Sequence, residues 1–290
     1  MAQPFATSIP APIPAPIPAI DHVVINARDR LEEAAAVFHR LGFSLTPRGH
    51  HTLGSVNNLA ILGTDYVELL GMPPGEGGRT DVLDWPAGLN GLVFKTFDSD
   101  GAFAALGAAG VPVLPPQAFS RPVEMPGGPR DAAFRTVRLE RDAVPAGRVF
   151  FCHHLTPDLV WHDPWRRHPN GALGILRAVV CAAEPATLGG LFARMFGDEH
   201  VRQTADGCRL SAGLASIDVV TPAALDAEFG ADAPDAAGRD QFMAALTLRT
   251  LSLDRVSRVL RDGCIAATQD SSGITVAAAA ACGVTLAFQE

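Results

Sequence analysis

The chain has 290 residues, 48% of them apolar, and a formal net charge of -8. Such a composition provides for a sizeable core and excludes wholesale disorder, and the acidic balance argues against nucleic acid, whose phosphates need a basic face. Five cysteines with no CxxC spacing argue against a disulfide framework, so a reducing cytoplasm is the expected location.

The chain opens with a proline-rich lead that includes PAPIPAPIPA (10–19), read as an extended polyproline arm, either a flexible tail or a docking arm. It lacks the basic and continuous apolar regions of a signal peptide. The longest apolar runs, near 274–288, are broken by Gly283 and fall short of the ~18 residues of a membrane span. A soluble protein is expected.

IDHVVIN (20–26) follows and reads as a buried strand, with RDRLEEAAAVFHRLGF (28–43) as a helix stopped by Gly42. Three strand candidates come next: FSLTPR (43–48), SVNNLAIL (55–62) and DYVELLG (65–71). The order then returns. NGLVFKTFD (90–98) is a strand and DGAFAALGAAGV (100–111) a helix, with strands around PVLPP (112–116), FRTVRLE (134–140) and RVFFCHHL (148–155).

A third copy has GILRAVVCAAE (174–184), the helix PATLGGLFARMFG (185–197), and strands near HVRQTA, GCRLSAG and ASIDVVTP. A fourth has AALTLRTLS (244–252), the helix LDRVSRVLRDGC (253–264), then ATQDS, GITVAAA and GVTLAFQE. Four βαβββ units account for nearly the whole chain. One unit alone leaves a concave face open, so the units must pair. The expectation is an α+β protein: an arm over 1–19, an N-terminal domain over 20–160, a linker over 161–173 and a C-terminal domain over 174–290.

This order, together with DHVVI (21–25), LGFSLTPRGHHTLGSVN (41–57), YVELLG (66–71), HHLTPDLVW (153–161) and HPNGA (168–172), resembles the vicinal oxygen chelate superfamily and its glyoxalase-like domain proteins. The resemblance implies one divalent metal in the cup between two paired units. It places ligands on His22 and Glu68 of the first unit. In the second unit the first-strand position falls near Leu92, which cannot ligate, and the last-strand position on His154, or failing that His153. Two imidazoles and one carboxylate suit iron(II) best, and also manganese, zinc, nickel or cobalt.

The residues themselves leave alternatives open. His22 alone could be a core histidine bonded to a backbone carbonyl. Glu68 in an apolar strand, however, would cost several kcal/mol unless paired or ligating, so the two explain each other around a cation. His51 and Asn57 border the cup as substrate contacts, or belong to a solvated loop. Arg121 and Arg135 could pair with a substrate carboxylate, or be surface charge. In the C-terminal pair the matching positions fall near Ala178 and Asp218, so no metal is expected there.

The function expected is a metal-dependent enzyme on a small oxygen-chelating molecule, slightly toward a dioxygenase, with a glyoxalase-like lyase or isomerase close behind. A non-catalytic small-molecule binding protein is the rival. A homodimer is left open.

Overall fold

The computed structural model describes residues 16–73, 80–125 and 127–290, so most of the Pro-Ala-Ile arm lies outside the described residues. IDHVVIN becomes a central strand because both of its faces are covered. Strand β1 (Ile20–Arg28) is buried from Ile20 through Ala27. Val23 and Ile25 pack with Phe38 of helix α1 (Leu31–Arg40), whose Leu31, Ala34 and Ala35 complete the buried stripe. Val24 belongs to a separate cluster on the other face.

The first half continues with β2 (Gly49–His50), β3 (Val56–Ile61), β4 (Tyr66–Gly71), a short α2 (Thr80–Leu83), β5 (Gly88–Lys95), α3 (Ser99–Ala108), β6 (Gln117–Met125), β7 (Gly128–Arg138) and β8 (Arg148–His154). These strands form one sheet in the order β2-β3-β4-β1-β5-β8-β7-β6. Each unit closes on a parallel pair, β1 with β4 and β5 with β8, and the antiparallel β1–β5 pair joins the units. Bonds from the Thr52 amide to the Ser120 carbonyl (2.9 Å) and from the Ser120 amide to Thr52 Oγ1 (3.2 Å) stitch the two edges and curl the sheet around its concave face.

The second half repeats this with β9 (Ala172–Ala182), α4 (Pro185–Phe196), β10 (Val201–Thr204), β11 (Gly207–Ala212), β12 (Ala215–Val220), α5 (Pro222–Phe229), β13 (Gln241–Thr250), α6 (Leu253–Asp262), β14 (Thr268–Gln269), β15 (Ile274–Val276) and β16 (Thr285–Gln289). The order, β10-β11-β12-β9-β13-β16-β15-β14, is that of the first sheet. Four βαβββ units thus pair into two eight-stranded sheets, the α+β arrangement read from the repeat.

The helix-bearing faces of both sheets share one core, in which Phe94 meets Phe196 at 4.7 Å and Phe43 meets Phe288 at 6.3 Å between ring centroids. The concave faces keep their own apolar clusters.

Three local differences have physical reasons. FSLTPR runs extended but unpaired over 43–48, where Pro47 has no amide to offer a ladder and Thr46 alone bonds Leu59 through its backbone and hydroxyl. Around PVLPP only Val113 bridges, to Leu139, because prolines flank it; the paired strand is β6, further on. Helix α5 lies where no helix was expected, started by Pro222 and by Thr221 Oγ1 accepting the Ala224 amide.

Two contacts tie the halves beside β4. The Gly63 amide donates to the Leu173 carbonyl at 2.8 Å, and the Ile175 amide donates to Asp65 Oδ1 at 3.1 Å. Burial pushes the Asp65 carboxyl up to about 7, with Asp21 adding to the rise and the Ile175 bond, Lys95 and Arg249 opposing it. The folded chain therefore keeps a proton between its ordinary 3.8 and about 7 that the unfolded chain has lost. Stability from this group is full below that window and falls as pH rises through it. Asp65→Asn should flatten that decline and raise the melting temperature at pH 8 by ~3 °C or more. Thermal unfolding at pH 5 and pH 8 checks this, and an unchanged pH dependence would show that Asp65 is not the titrating group.

Candidate functional site

Alternation along the strands decides which side chains reach the concave face of the first sheet. His22 and Val24 from β1, Tyr66, Glu68 and Leu70 from β4, and Arg148, Phe150 and Cys152 from β8 line a cavity there. Its far wall includes Phe119, Arg121 and Phe134. All of these residues come from a single chain.

His22 is held from three directions. Its ring stacks on Tyr66 with centroids 4.3 Å apart and meets the edge of Phe150 at 5.7 Å. Its Nδ1 lies 2.6 Å from Asp21 Oδ1, and the same oxygen lies 2.9 Å from His154 Nε2. Burial alone would push the Asp21 carboxyl up, but the bonds from His154 and His22 outweigh it and hold the group well below the usual carboxylate range. An ionised carboxylate only accepts, so each imidazole donates to it. With Nδ1 turned to Asp21, the other ring nitrogen of His22, Nε2, faces Glu68 Oε2 at 3.7 Å. Lys95 Nζ, 3.6 Å from Asp21 Oδ2, stands at the back of the group.

Glu68 is buried, yet its charge is met. Asn57 Nδ2 donates to Oε1 at 2.6 Å, and His51 Nε2 stands 4.0 Å from the same oxygen. Burial works to raise this carboxyl, and His22, His51, the Asn57 bond and Arg148 together bring it below its ordinary value. It stays ionised near neutrality. His51 bonds Ser55 Oγ through Nδ1 at 2.9 Å and sets its ring against Phe119, so it belongs to the wall.

The other residues singled out in the sequence divide. Arg121, 3% exposed, lines the cavity. Arg135 does not: it pairs with Asp100 on the surface through two hydrogen bonds of 2.7 and 2.9 Å. Leu92 points into the shared core, and its neighbour Val93 turns toward the concave face opposite His22. His153 faces Ser99 on the helix side. His154 shares its face with Phe150 and Cys152 but sits beyond the cavity, among Tyr66, Phe134 and Trp161. His22, Glu68 and His154 therefore do not converge on one point, because Asp21 stands between the two imidazoles.

Sequence reasoning passed over Asp21, since neighbours on a strand should face opposite ways. A register shift between Ile20 and His22 in the pairing with β5 lets the two side chains meet. Arg148, Arg138 and the aromatic wall were also missed, for want of any local signal. In the second sheet Asp218 opposes Val179 as Glu68 opposes Val24, so the counterpart of His22 is Arg177, not Ala178. Arg177 Nε bonds Asp218 Oδ2 at 2.6 Å; Arg209 and Glu228 extend the network. An ion-pair cluster occupies the matching place on that concave face.

Two groupings could hold a cation. Asp21, His22 and His154 offer donor atoms within 4.8 Å of one another. There, however, a cation must displace two protons already shared with Asp21. His22 Nε2 and Glu68 have no such bond between them, and they stand on the cavity wall, where a substrate can complete the coordination. The donor chemistry of the cavity pair fits a borderline divalent ion.

Comparison with known proteins agrees with this fold. A hypothetical protein from Staphylococcus aureus superposes with a TM-score of 0.65 at 12% identity, covering 94% of this chain and 99% of that one. A mutant of 4-hydroxymandelate synthase from Streptomyces coelicolor gives 0.57 at 13% identity, covering 94% and 92%. A xylose isomerase-like TIM barrel/4-hydroxyphenylpyruvate dioxygenase fusion protein gives 0.57 at 13% identity, covering 89% of this chain and 41% of the fusion. No curated protein matches the sequence. The profile described as glyoxalase-like domain matches residues 20–196. That match spans more than half of the sequence, and the chain belongs to the glyoxalase-like domain family, within the vicinal oxygen chelate fold.

Proposed function

We propose that the chain is a metal-dependent enzyme whose reaction centre is the cavity over His22 and Glu68, and whose substrate is a small organic molecule with neighbouring oxygens. The observation that carries this reading is the placement of His22 between two carboxylates. Asp21 fixes the ring and its tautomer through Nδ1, which turns Nε2 toward Glu68. Imidazole ligands of metals are backed by an outer carboxylate in this way.

In this reading His22 Nε2 and Glu68 hold the ion, and His154 supports them through Asp21. Iron(II) is favoured, and manganese, zinc, nickel or cobalt suit the same donors. The bound ion supplies Lewis acidity toward the substrate oxygens, and iron adds redox capacity. Asn57 and His51 keep the Glu68 carboxylate aligned, and Phe119, Phe134 and Phe150 exclude water. A dioxygenase-type reaction is favoured, since two structural neighbours carry 4-hydroxymandelate synthase and 4-hydroxyphenylpyruvate dioxygenase in their names.

One observation favours a second reading, a lyase or isomerase. Glu68 is an ionised carboxylate on the cavity wall, within reach of a bound substrate's proton, although the neighbours that lower its proton affinity make it a weak base. The five cysteines are unpaired, which supports a reducing cytoplasm. No helix of the described residues is long and apolar enough to cross a membrane.

Elemental analysis of protein purified without chelator should find about one divalent ion per chain. His22→Ala should abolish that content and Glu68→Gln should lower metal affinity by at least tenfold. His154→Gln should cost less than Glu68→Gln; the reverse order would move the ion into the Asp21–His22–His154 group. Asp21→Asn should weaken metal binding or turnover by ~10–100-fold without abolishing it. Oxygen uptake with iron(II) and a panel of catechols or 2-oxo acids separates the two reaction classes, because a lyase or isomerase consumes none.

A further inference from the structure

A buried guanidinium without a carboxylate partner is costly, because its charge has left water with nothing in exchange. Arg121 is in that position. It is 3% exposed, it lines the cavity, and no salt bridge or hydrogen bond among the described residues reaches its side chain. Its Nη2 is fully enclosed and has no acceptor. Burial draws its proton affinity down, and Tyr66 and Glu68 pull the other way. Arginine stays charged under such conditions.

The backbone is shaped to admit this side chain. A Cβ at Gly49 would stand 2.9 Å from Arg121 Cδ and collide with Asn57 Oδ1. Glycine there lets the arginine lie flat against β2. The charge of the cavity points the same way. Arg121, Arg138 and Arg148 all line it, and Glu68 is the single carboxylate among the described lining residues. Arg148 already donates to Asn90 Oδ1 at 2.9 Å and Arg138 to Gln117, so those two have partners. The wall also carries His22, His51, Asn57, Tyr66 and Thr136, and its apolar part includes Phe119 and Phe134, stacked at 5.1 Å.

We infer that the substrate carries a carboxylate on an apolar, ring-sized body, and that Arg121 is the receptor for that carboxylate. This rests on reading the cavity as a small-molecule site, and not on the metal. The fork of the guanidinium offers two parallel N–H donors to the two carboxylate oxygens, which restores the acceptor that Nη2 lacks. The phenyl-sized body lies against the Phe119–Phe134 wall.

The test is calorimetric titration of the full chain with phenylacetate and its neutral isostere phenylacetamide, each with and without EDTA. Phenylacetate should bind at least ~10-fold tighter than the amide in both conditions. Arg121→Met should remove that preference and leave the weak amide binding within about twofold, and Arg121→Lys should keep part of it. Equal binding of acid and amide, or no binding of either, overturns the inference on the unaltered protein alone, whatever the variants do. An acid preference that persists in Arg121→Met also overturns it. If that persisting preference is lost with EDTA, the carboxylate is held by the cation, which sustains the proposed metal function while ending this one. A preference that needs Arg121 and ignores EDTA sustains the inference even where no metal is found.

Discussion

A carboxylate taken out of water must find donors inside the protein, and the Asp21 carboxylate governs this site for that reason. It is buried at the start of the central strand, and a buried charge stripped of its partners costs about 3–5 kcal/mol. Both imidazoles are drawn to its Oδ1, and Lys95 stands behind Oδ2. Everything the cavity presents at its floor follows from this. The orientation of His22, the face of the ring left bare and the exclusion of His154 from the cavity wall are all set by where that oxygen lies. The stack on Tyr66 then removes the remaining freedom of the ring.

Much of this was legible in the sequence, and the reason is periodicity. A unit repeated four times reports its own topology, since each copy corrects doubts about the others. His22 and Glu68 stood out because a polar group in a strand buried on both faces needs a partner. What stayed hidden depends on one-residue registers. Taking Ala178 for Arg177 turned the counterpart of His22 onto the wrong face, since a slip of one position exchanges the faces of a strand. The meeting of Asp21 with His22 needs a register shift that no composition announces. Arg121 and Arg135 looked alike as arginines in strand-like runs; only the fold shows one enclosed by the cavity and the other paired with Asp100 outside.

The paired sheets bear on how the two halves divide their labour. Their strand orders are the same, and their helix-bearing faces merge into one core, so stability is a joint property. The concave faces are independent of that core and free to differ. In the first, polar groups face an open space with Asn57 Oδ1 and Arg121 Nη2 left without partners. In the second, Leu225 and neighbouring apolar residues cover part of the face, and Arg177, Arg209, Asp218 and Glu228 saturate one another.

This contrast is itself an argument about function. Both faces place a carboxylate on the last strand of the first unit of the pair, Glu68 in one and Asp218 in the other, and the acid alone therefore specifies no chemistry. The same-face residue two positions before the one opposite decides. Where it is Arg177, the charges neutralise each other in bonds of 2.6 Å. Where it is His22, the imidazole is tied through Nδ1 to Asp21 and holds its Nε2 3.7 Å from the acid, with no hydrogen bond between them. An arginine closes the arrangement by bonding the acid directly, whereas a histidine held back by Asp21 leaves the acid to be shared with whatever enters the cup.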